Sequence, residues 1–306
     1  MVKNQETPAL MQALPPATAK APLKVLVLGV SGMLGNAVLR VFAQSDHYRV
    51  VGSARSAGVL RLLPPQLREQ VVCGVDVENT DSLVQLFTSA RPDVVINCIG
   101  LVKQLAEAND PLAAIATNAL LPHKLARLCA LAHARLIHVS TDCVFAGTRG
   151  MYAEHDLPDA QDLYGRSKYL GEVNYPHAIT LRTSIIGHEL SSAHSLLGWF
   201  LAQAGPVKGF TRAIFSGLPT TELARVMRDF VIPHAGLQGL YHVAADPINK
   251  FDLLQLIAQA YGKSTAITPD DNLAIDRSLD SSRFREVTGY RPPAWPDLVR
   301  QMQAFA

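Results

Sequence analysis

Two side chains able to share a proton lie four residues apart in the run Tyr164-Gly165-Arg166-Ser167-Lys168. On a helix this spacing brings a phenol and an ammonium to one face. A free phenol, with a pKa of about 10, is a poor base at neutral pH, and a neighbouring cation is expected to favour its phenolate. In the reductive direction Tyr164 would give a proton to a carbonyl oxygen, and Lys168 would stabilise the anion left behind. The pair alone is a weak signal. It gains weight from Ser140-Thr141-Asp142, which ends the apolar run ARLIHVST earlier in the chain. The carboxyl ends of strands are where doubly wound sheets bind ligands, so Thr141 can hydrogen-bond the same substrate oxygen. A strand-terminal turn is the alternative for Thr141 taken singly.

A carbonyl reduction of this kind needs a hydride donor, and the chain has a place for one. Gly29-Val30-Ser31-Gly32-Met33-Leu34-Gly35 follows the apolar run LKVLVLGV directly and opens a helix. Glycine at the turn permits positive φ, and the missing Cβ lets a pyrophosphate approach the backbone. The free N–H groups of the helix start then face an anion. The set Gly29, Ser31, Gly32, Met33, Leu34 and Gly35 is therefore expected to bind a nicotinamide dinucleotide, with Lys168 reaching the nicotinamide ribose. The end of the second strand reads Gly52-Ser53-Ala54-Arg55. It has no carboxylate for a ribose 2′-hydroxyl, whereas a guanidinium suits a 2′-phosphate, so NADPH is expected over NADH. Asp76, with Val77 after the third strand, could accept from the adenine amino group; capping the next helix is its other reading.

The elements that must hold these residues alternate from Leu23 onward. YRVVGSAR, QVVCGVD, DVVINCIG and ARLIHVST follow the first strand, with helical stretches between them. One long helix is expected over roughly 111 to 133, and AITLRTSII and GLYHVAA read as two later strands. The apolar runs are continuous and not alternating, which predicts an α/β, doubly wound parallel sheet covered on both faces, a Rossmann fold. The expected organisation is a polar, disordered tail over 1–22, a nucleotide-binding domain over 23–185, and a smaller substrate lobe over 186–306. Residues 236–246 are expected to return to the sheet.

The composition agrees: 306 residues, 48% hydrophobic, 18% charged, net charge +2. No basic run supports nucleic-acid binding. No apolar run is long enough to span a bilayer, and the first residues lack a signal-peptide core, so a cytoplasmic protein is expected. Cys73, Cys98, Cys129 and Cys143 have no CxxC spacing and no His cluster beside them, so neither a metal site nor a disulfide frame is expected.

Together GVSGMLG, STDCVFAG, YGRSKYLGE and LDSSRFREVTGYRPPAW resemble the extended short-chain dehydrogenase/reductases, and among them the dTDP-4-dehydrorhamnose reductase group, over about Leu23 to Trp295. The resemblance implies reduction of a 4-keto group on a nucleotide-linked 6-deoxy sugar in surface polysaccharide synthesis. It also implies a catalytic set of Thr141, Tyr164 and Lys168, with a homodimer built from helices on one face being usual for the family. Cys98, Ile99 and Gly100 would line the cofactor, Asn118 would brace the site, and Thr183 would approach the nicotinamide. Cys143 stands where the family has an aromatic residue and the related dehydratases a glutamate, which argues against dehydration. Candidate substrate contacts are Lys103, Asp142, Cys143, His188, Trp199 and Arg212, the last for a diphosphate. Trp199 as a core residue is the commoner reading. Two other readings stay open: an epimerase on the same scaffold, and a non-catalytic regulatory subunit that keeps the nucleotide fold.

Overall fold

The computed structural model describes residues 21–101 and 109–306, so Lys103 and most of the expected tail lie outside the described residues. The first strand shows how the fold is built. In β1 (Leu23–Leu28), Val25 and Val27 enter one hydrophobic cluster while Leu26 and Leu28 enter another. Alternate side chains point to opposite faces, so a run apolar at every position is a strand buried on both sides.

The chain continues through α1 (Met33–Phe42), β2 (Tyr48–Ala54), β3 (Val71–Cys73), α2 (Thr80–Ala90), β4 (Val94–Asn97), α3 (Pro111–Ala114), α4 (Leu121–Leu131), β5 (Arg135–Thr141), α5 (Leu163–Leu170) and β6 (Ala178–Thr183). After it come β7 (Ile185–Ile186), α6 (Leu196–Ala202), β8 (Val207–Phe210), β9 (Ala213–Phe215), β10 (Leu218–Pro219), α7 (Thr220–Val226) and β11 (Gly239–His242). The last elements are β12 (Ile248–Asn249), α8 (Lys250–Tyr261), β13 (Ile267–Asp270), β14 (Ile275–Asp276), α9 (Ser282–Thr288) and α10 (Trp295–Ala304). Seven strands form one parallel sheet in the order β11-β6-β5-β4-β1-β2-β3. The order reverses between β1 and β4, and such a switch point opens a crevice at the carboxyl ends of the strands.

Three local features differ from the expected pattern. Between β2 and β3 stand two short 3₁₀ segments, Ala57–Leu62 and Pro65–Gln70, and no α-helix. Pro64 and Pro65 supply no N–H, which stops an α-helix from propagating there. The long helix expected from Pro111 is interrupted over Ile115–Leu120, where the Leu121 N–H bonds the Ala116 carbonyl five residues back. Pro122 cannot donate to the Asn118 carbonyl four residues back, so a widened turn relieves the ladder at Asn118. The stretch after α7 widens likewise, with the Ile232 N–H on the Met227 carbonyl at 2.9 Å.

Segments far apart in the chain interleave. Asp276 N–H donates to the Gly147 carbonyl at 2.8 Å, and Tyr152 exchanges backbone bonds of 2.9 and 2.8 Å with Ser278 and Asp280. Residues soon after β5 are therefore stitched to the C-terminal part of the chain, which brings that part to the carboxyl edge of the sheet.

Candidate active site

The glycine loop is shaped by what cannot fit there. Gly29 has φ +84°, and a Cβ on it would stand 2.7 Å from Ile99 Cγ1. A Cβ on Gly35 would stand 2.1 Å from the Gly29 carbonyl oxygen, so only glycine lets α1 start this close to the end of β1. Gly32 precedes α1 without a side-chain cap, leaving the first N–H groups of the helix free of side-chain acceptors. Ser31 is exposed and Met33 half-buried, while Leu34 is buried in the core and can offer a ligand only its backbone.

Across the crevice, the Cys98 N–H bonds the Leu28 carbonyl at 3.2 Å and the Ile99 N–H bonds Asn97 Oδ1 at 3.1 Å. Burial pushes the Cys98 thiol up to about 12, so it stays protonated. Arg55 follows β2, is exposed, and has no ion pair or side-chain hydrogen bond among the described residues. Asp76 is exposed and takes the Glu78 N–H at 3.0 Å, while Asn79, not Asp76, caps α2. Val77 packs half-buried on the cluster beneath α2.

Thr141, Tyr164 and Lys168 meet at the end of β5. Thr141, its last residue, accepts the Cys143 N–H at 3.1 Å and donates to Asp142 Oδ1 at 3.2 Å. α5 starts on the Asp162 cap, whose Oδ1 takes the Gly165 N–H at 2.7 Å. A Cβ on Gly165 would stand 2.4 Å from the Cys143 carbonyl oxygen, so this glycine lets the first turn of α5 lie against the end of β5. Tyr164 is thereby brought to Thr141, and a hydrogen bond joins the two side chains.

Desolvation is the largest influence on Tyr164, with the Cys143 side chain adding to it, and together they hold the phenol well above its ordinary range against the opposing Thr141 bond. The expectation that the ammonium would favour the phenolate is therefore corrected: burial dominates, and the phenol keeps its proton. Lys168 is buried and donates from Nζ to the Val139 carbonyl at 2.8 Å. Burial brings it down to about 8, opposed by the charge of Glu172. Asn118 Oδ1 accepts the Leu101 N–H at 2.9 Å and its Nδ2 donates to Ser167 Oγ at 3.2 Å, tying the loop after β4 to α5. The vacant Cβ position of Gly100 faces Asn118 Oδ1 at 3.4 Å and Lys168 Nζ at 3.6 Å, so no side chain intervenes there.

The sequence reading missed several charged groups, two of them beside the expected Asp142. Asp142 is buried, and desolvation raises its pKa against the opposing charges of Arg277 and Lys250. Arg277 also donates to the Phe145 carbonyl at 2.7 Å. Both cations come from the C-terminal part of the chain; Arg277 stands two residues before the run LDSSRFREVTGYRPPAW, and no motif of the sequence reading marks Lys250. Glu172, Arg182 and His242 form a second set, described below. For these a signal existed: Glu172 stands four residues after Lys168, and Arg182 interrupts an apolar strand.

The remaining expected substrate and cofactor contacts stand on separate elements. His188 Nε2 meets the Tyr261 hydroxyl at 2.8 Å, which ties it to α8. Trp199 is 38% exposed, so it is not a core residue; α6 buries Leu197 and Phe200 instead. Arg212 is exposed and its guanidinium has no ion pair or side-chain hydrogen bond among the described residues. Thr183 ends β6, buried, with its hydroxyl on the Ser184 carbonyl at 3.1 Å. Among the described residues no three His, Cys, Asp or Glu side chains group as metal ligands, and no helix is long and apolar enough to cross a membrane.

Comparison with known proteins sets this geometry in a family. A profile described as the RmlD substrate binding domain matches residues 23–304. The chain is 29% identical over 300 residues to a protein of Haloferax volcanii named "Probable low-salt glycan biosynthesis reductase Agl14", covering 91% of this chain and 96% of that one. It is 31% identical over 314 residues to mouse (Mus musculus) methionine adenosyltransferase 2 subunit beta, covering 90% and 88%. The crystal structure of dTDP-4-dehydrorhamnose reductase from Bacillus anthracis, in complex with NADP, superposes with a TM-score of 0.77 at 19% identity, covering 94% of this chain and all of that one. A parallel sheet with its order reversing beside a glycine turn, a Tyr-Lys helix against β5, and a family match over almost the whole chain agree with one another: this chain belongs to the RmlD-type extended short-chain dehydrogenase/reductases.

Proposed function

We propose that the protein is an NADPH-dependent reductase of the 4-keto group of a nucleotide-linked 6-deoxy sugar, serving surface polysaccharide synthesis. The observation that carries the reading is the meeting of Thr141, Tyr164 and Lys168 at the carboxyl end of β5, with Lys168 Nζ on the Val139 carbonyl. The glycine loop fits a dinucleotide: a Cβ would fill the space at Gly29 and Gly35, and the N–H groups at the start of α1 have no side-chain cap. Unpaired Arg55 suits a 2′-phosphate. Ile99 and Gly100 would line the opposite wall and Thr183 the nicotinamide end. When bound, NADPH supplies hydride to the substrate carbonyl carbon.

The chain's own residues would handle the proton. Thr141 and Tyr164 offer two hydroxyls to the carbonyl oxygen. Because burial holds the phenol in its protonated form, Tyr164 enters the reaction as an acid, the form that a reduction needs. The charge left on its oxygen as the proton departs is stabilised by Lys168, an ammonium below about pH 8. Asp142 and Cys143 from the end of β5, and Lys250 and Arg277 from the C-terminal part of the chain, would face the sugar and its nucleotide, with Arg212 on the diphosphate. Residues 186–306 would form most of that substrate lobe.

The test is oxidation of NADPH with dTDP-, UDP- and GDP-linked 4-keto-6-deoxy sugars, comparing wild type with Tyr164→Phe. Turnover by the wild type that drops by roughly 10²–10⁴-fold in the variant supports the reading. The similarity to a methionine adenosyltransferase subunit favours a second one, a nucleotide-binding subunit without turnover. Tight NADPH binding with silence across the whole panel would move the assignment there.

A further inference from the structure

β5 presents a buried polar stripe to α4 and α5. Leu136 packs with Leu121 and Leu125 of α4, and the period of two places His138 and Ser140 on the same side. Lys168 and Glu172, four residues apart, meet this stripe. Lys168 Nζ holds the Val139 carbonyl at 2.8 Å, and Ser140 Oγ donates to Glu172 Oε1 at 2.7 Å. Thr141, the next residue, bonds Tyr164. Three consecutive residues at the end of β5 are thus attached to the catalytic helix or to the turn that ends it.

Glu172 is itself clamped. Arg182 of β6 donates from Nε to Oε1 at 2.8 Å and from Nη2 to Oε2 at 2.6 Å, a two-pronged pair with side chains 1% and 9% exposed. Arg182 Nη1 then meets His242 Nε2 of β11 at 2.9 Å. Burial and the Arg182 charge bring His242 down to about 3, so it is neutral, its Nδ1–H donating to the Tyr152 carbonyl at 2.9 Å. The chain of contacts runs from the substrate-lobe seam at Tyr152, through three strands, to the residues beside Thr141.

We propose that Glu172 is a positioning residue for the catalytic set: held by Arg182, its buried carboxylate fixes the end of β5 against α5 and serves as counter-charge to the Lys168 ammonium. The kinetic part rests on the reductase reading above; the electrostatic part does not. The charged and titratable groups facing the pair are few. Arg182 and, behind it, His242 face Glu172 from β6 and β11. His138 faces Lys168 from β5 and is held neutral, well below its ordinary range, by burial and the Lys168 charge, with His123 of α4 adding to it. Glu172 is the acidic group that opposes the burial of Lys168.

Glu172→Gln in the full chain tests this by thermal unfolding between pH 7 and 10 without added nucleotide. Lys168 titrates near 8 when folded and near about 10.4 when unfolded, so the unfolded chain binds more protons between these values and stability rises with pH across that window. Without the Glu172 charge the rise is expected to begin roughly one pH unit lower. The alkaline fall of kcat should move the same way, lowering turnover at pH 8 by roughly fivefold. Glu172→Asp, which keeps the charge, should leave both profiles near wild type while reducing kcat.

Should Glu172→Gln fail to fold because Arg182 is left unpaired, the double variant Glu172→Gln/Arg182→Gln removes both charges and is expected to show the same displacement. A folded single or double variant with wild-type pH profiles would overturn the proposal. If even the wild type reduces no 4-keto sugar, the reductase reading fails, and the unfolding profile alone decides the role of Glu172.

Discussion

The two sides of the crevice are built by different means. On the β1–β3 side the site is made of backbone. Gly29 and Gly35 matter for the atoms they lack, and Leu34 points its side chain into the core. On the β5–β6 side it is made of buried side chains: Glu172, Arg182, His242, Lys168 and Asn118, each with a hydrogen-bond partner. An anion that must be held but not changed needs only N–H groups and room. A proton that must move needs groups with displaced pKa values, and these exist only where water is excluded and partners compensate the burial. Damage on the first side should therefore appear as lost binding, and damage on the second as lost stability and a changed pH response.

The largest expected effect is on the second side. Arg182→Leu would leave the Glu172 carboxylate buried without its partner and should cost about 3–5 kcal/mol in chemical denaturation, as breaking buried ion pairs does. A loss under about 1 kcal/mol, typical of exposed pairs, would show that the pair is not compensating burial. On the first side, Gly35→Ala forces a methyl against the Gly29 carbonyl. It should abolish measurable NADPH binding in calorimetry, with about 1–3 kcal/mol of overpacking cost in the same denaturation assay. Retained NADPH affinity would break the claim that the loop works by shape.

Smaller effects sharpen the contrast. Arg55→Ala should weaken NADPH by roughly tenfold, about 1.4 kcal/mol, and leave NADH unchanged; equal losses for both would remove Arg55 from the 2′-phosphate. Arg212→Ala should raise the KM for the sugar nucleotide several-fold at constant kcat, and an unmoved KM would place Arg212 outside the substrate site. The pH response should separate the sides as well. Turnover should fall as pH rises through about 8, where Lys168 loses its proton, and NADPH affinity should be less affected by a loss that leaves the glycine loop intact.

Much of this was legible in the chain. The unbroken apolar run Val25–Leu28 required a strand buried on both faces, and the glycine run behind it required a turn opening a helix. Tyr164 and Lys168 could be paired because helical spacing is a local property. Lys250 and Arg277 could not be found this way, since their approach to Asp142 depends on how the C-terminal part closes over the sheet. The π-type turn at Asn118 needed Pro122 to be read together with the packing of Gly171, whose Cβ would stand 1.9 Å from the Asn118 carbonyl oxygen.

The sequence by itself thus determined the parallel sheet, the glycine turn and the placing of Tyr164 and Lys168 on one helix, because each follows from periodicity or from backbone sterics over a few residues. Only the tertiary structure decided the protonation of that pair. Desolvation, with Cys143 adding to it, keeps the Tyr164 phenol protonated, and desolvation opposed by Glu172 sets the pH at which the Lys168 ammonium is lost; that burial exists only once strands and helices distant in the chain have packed.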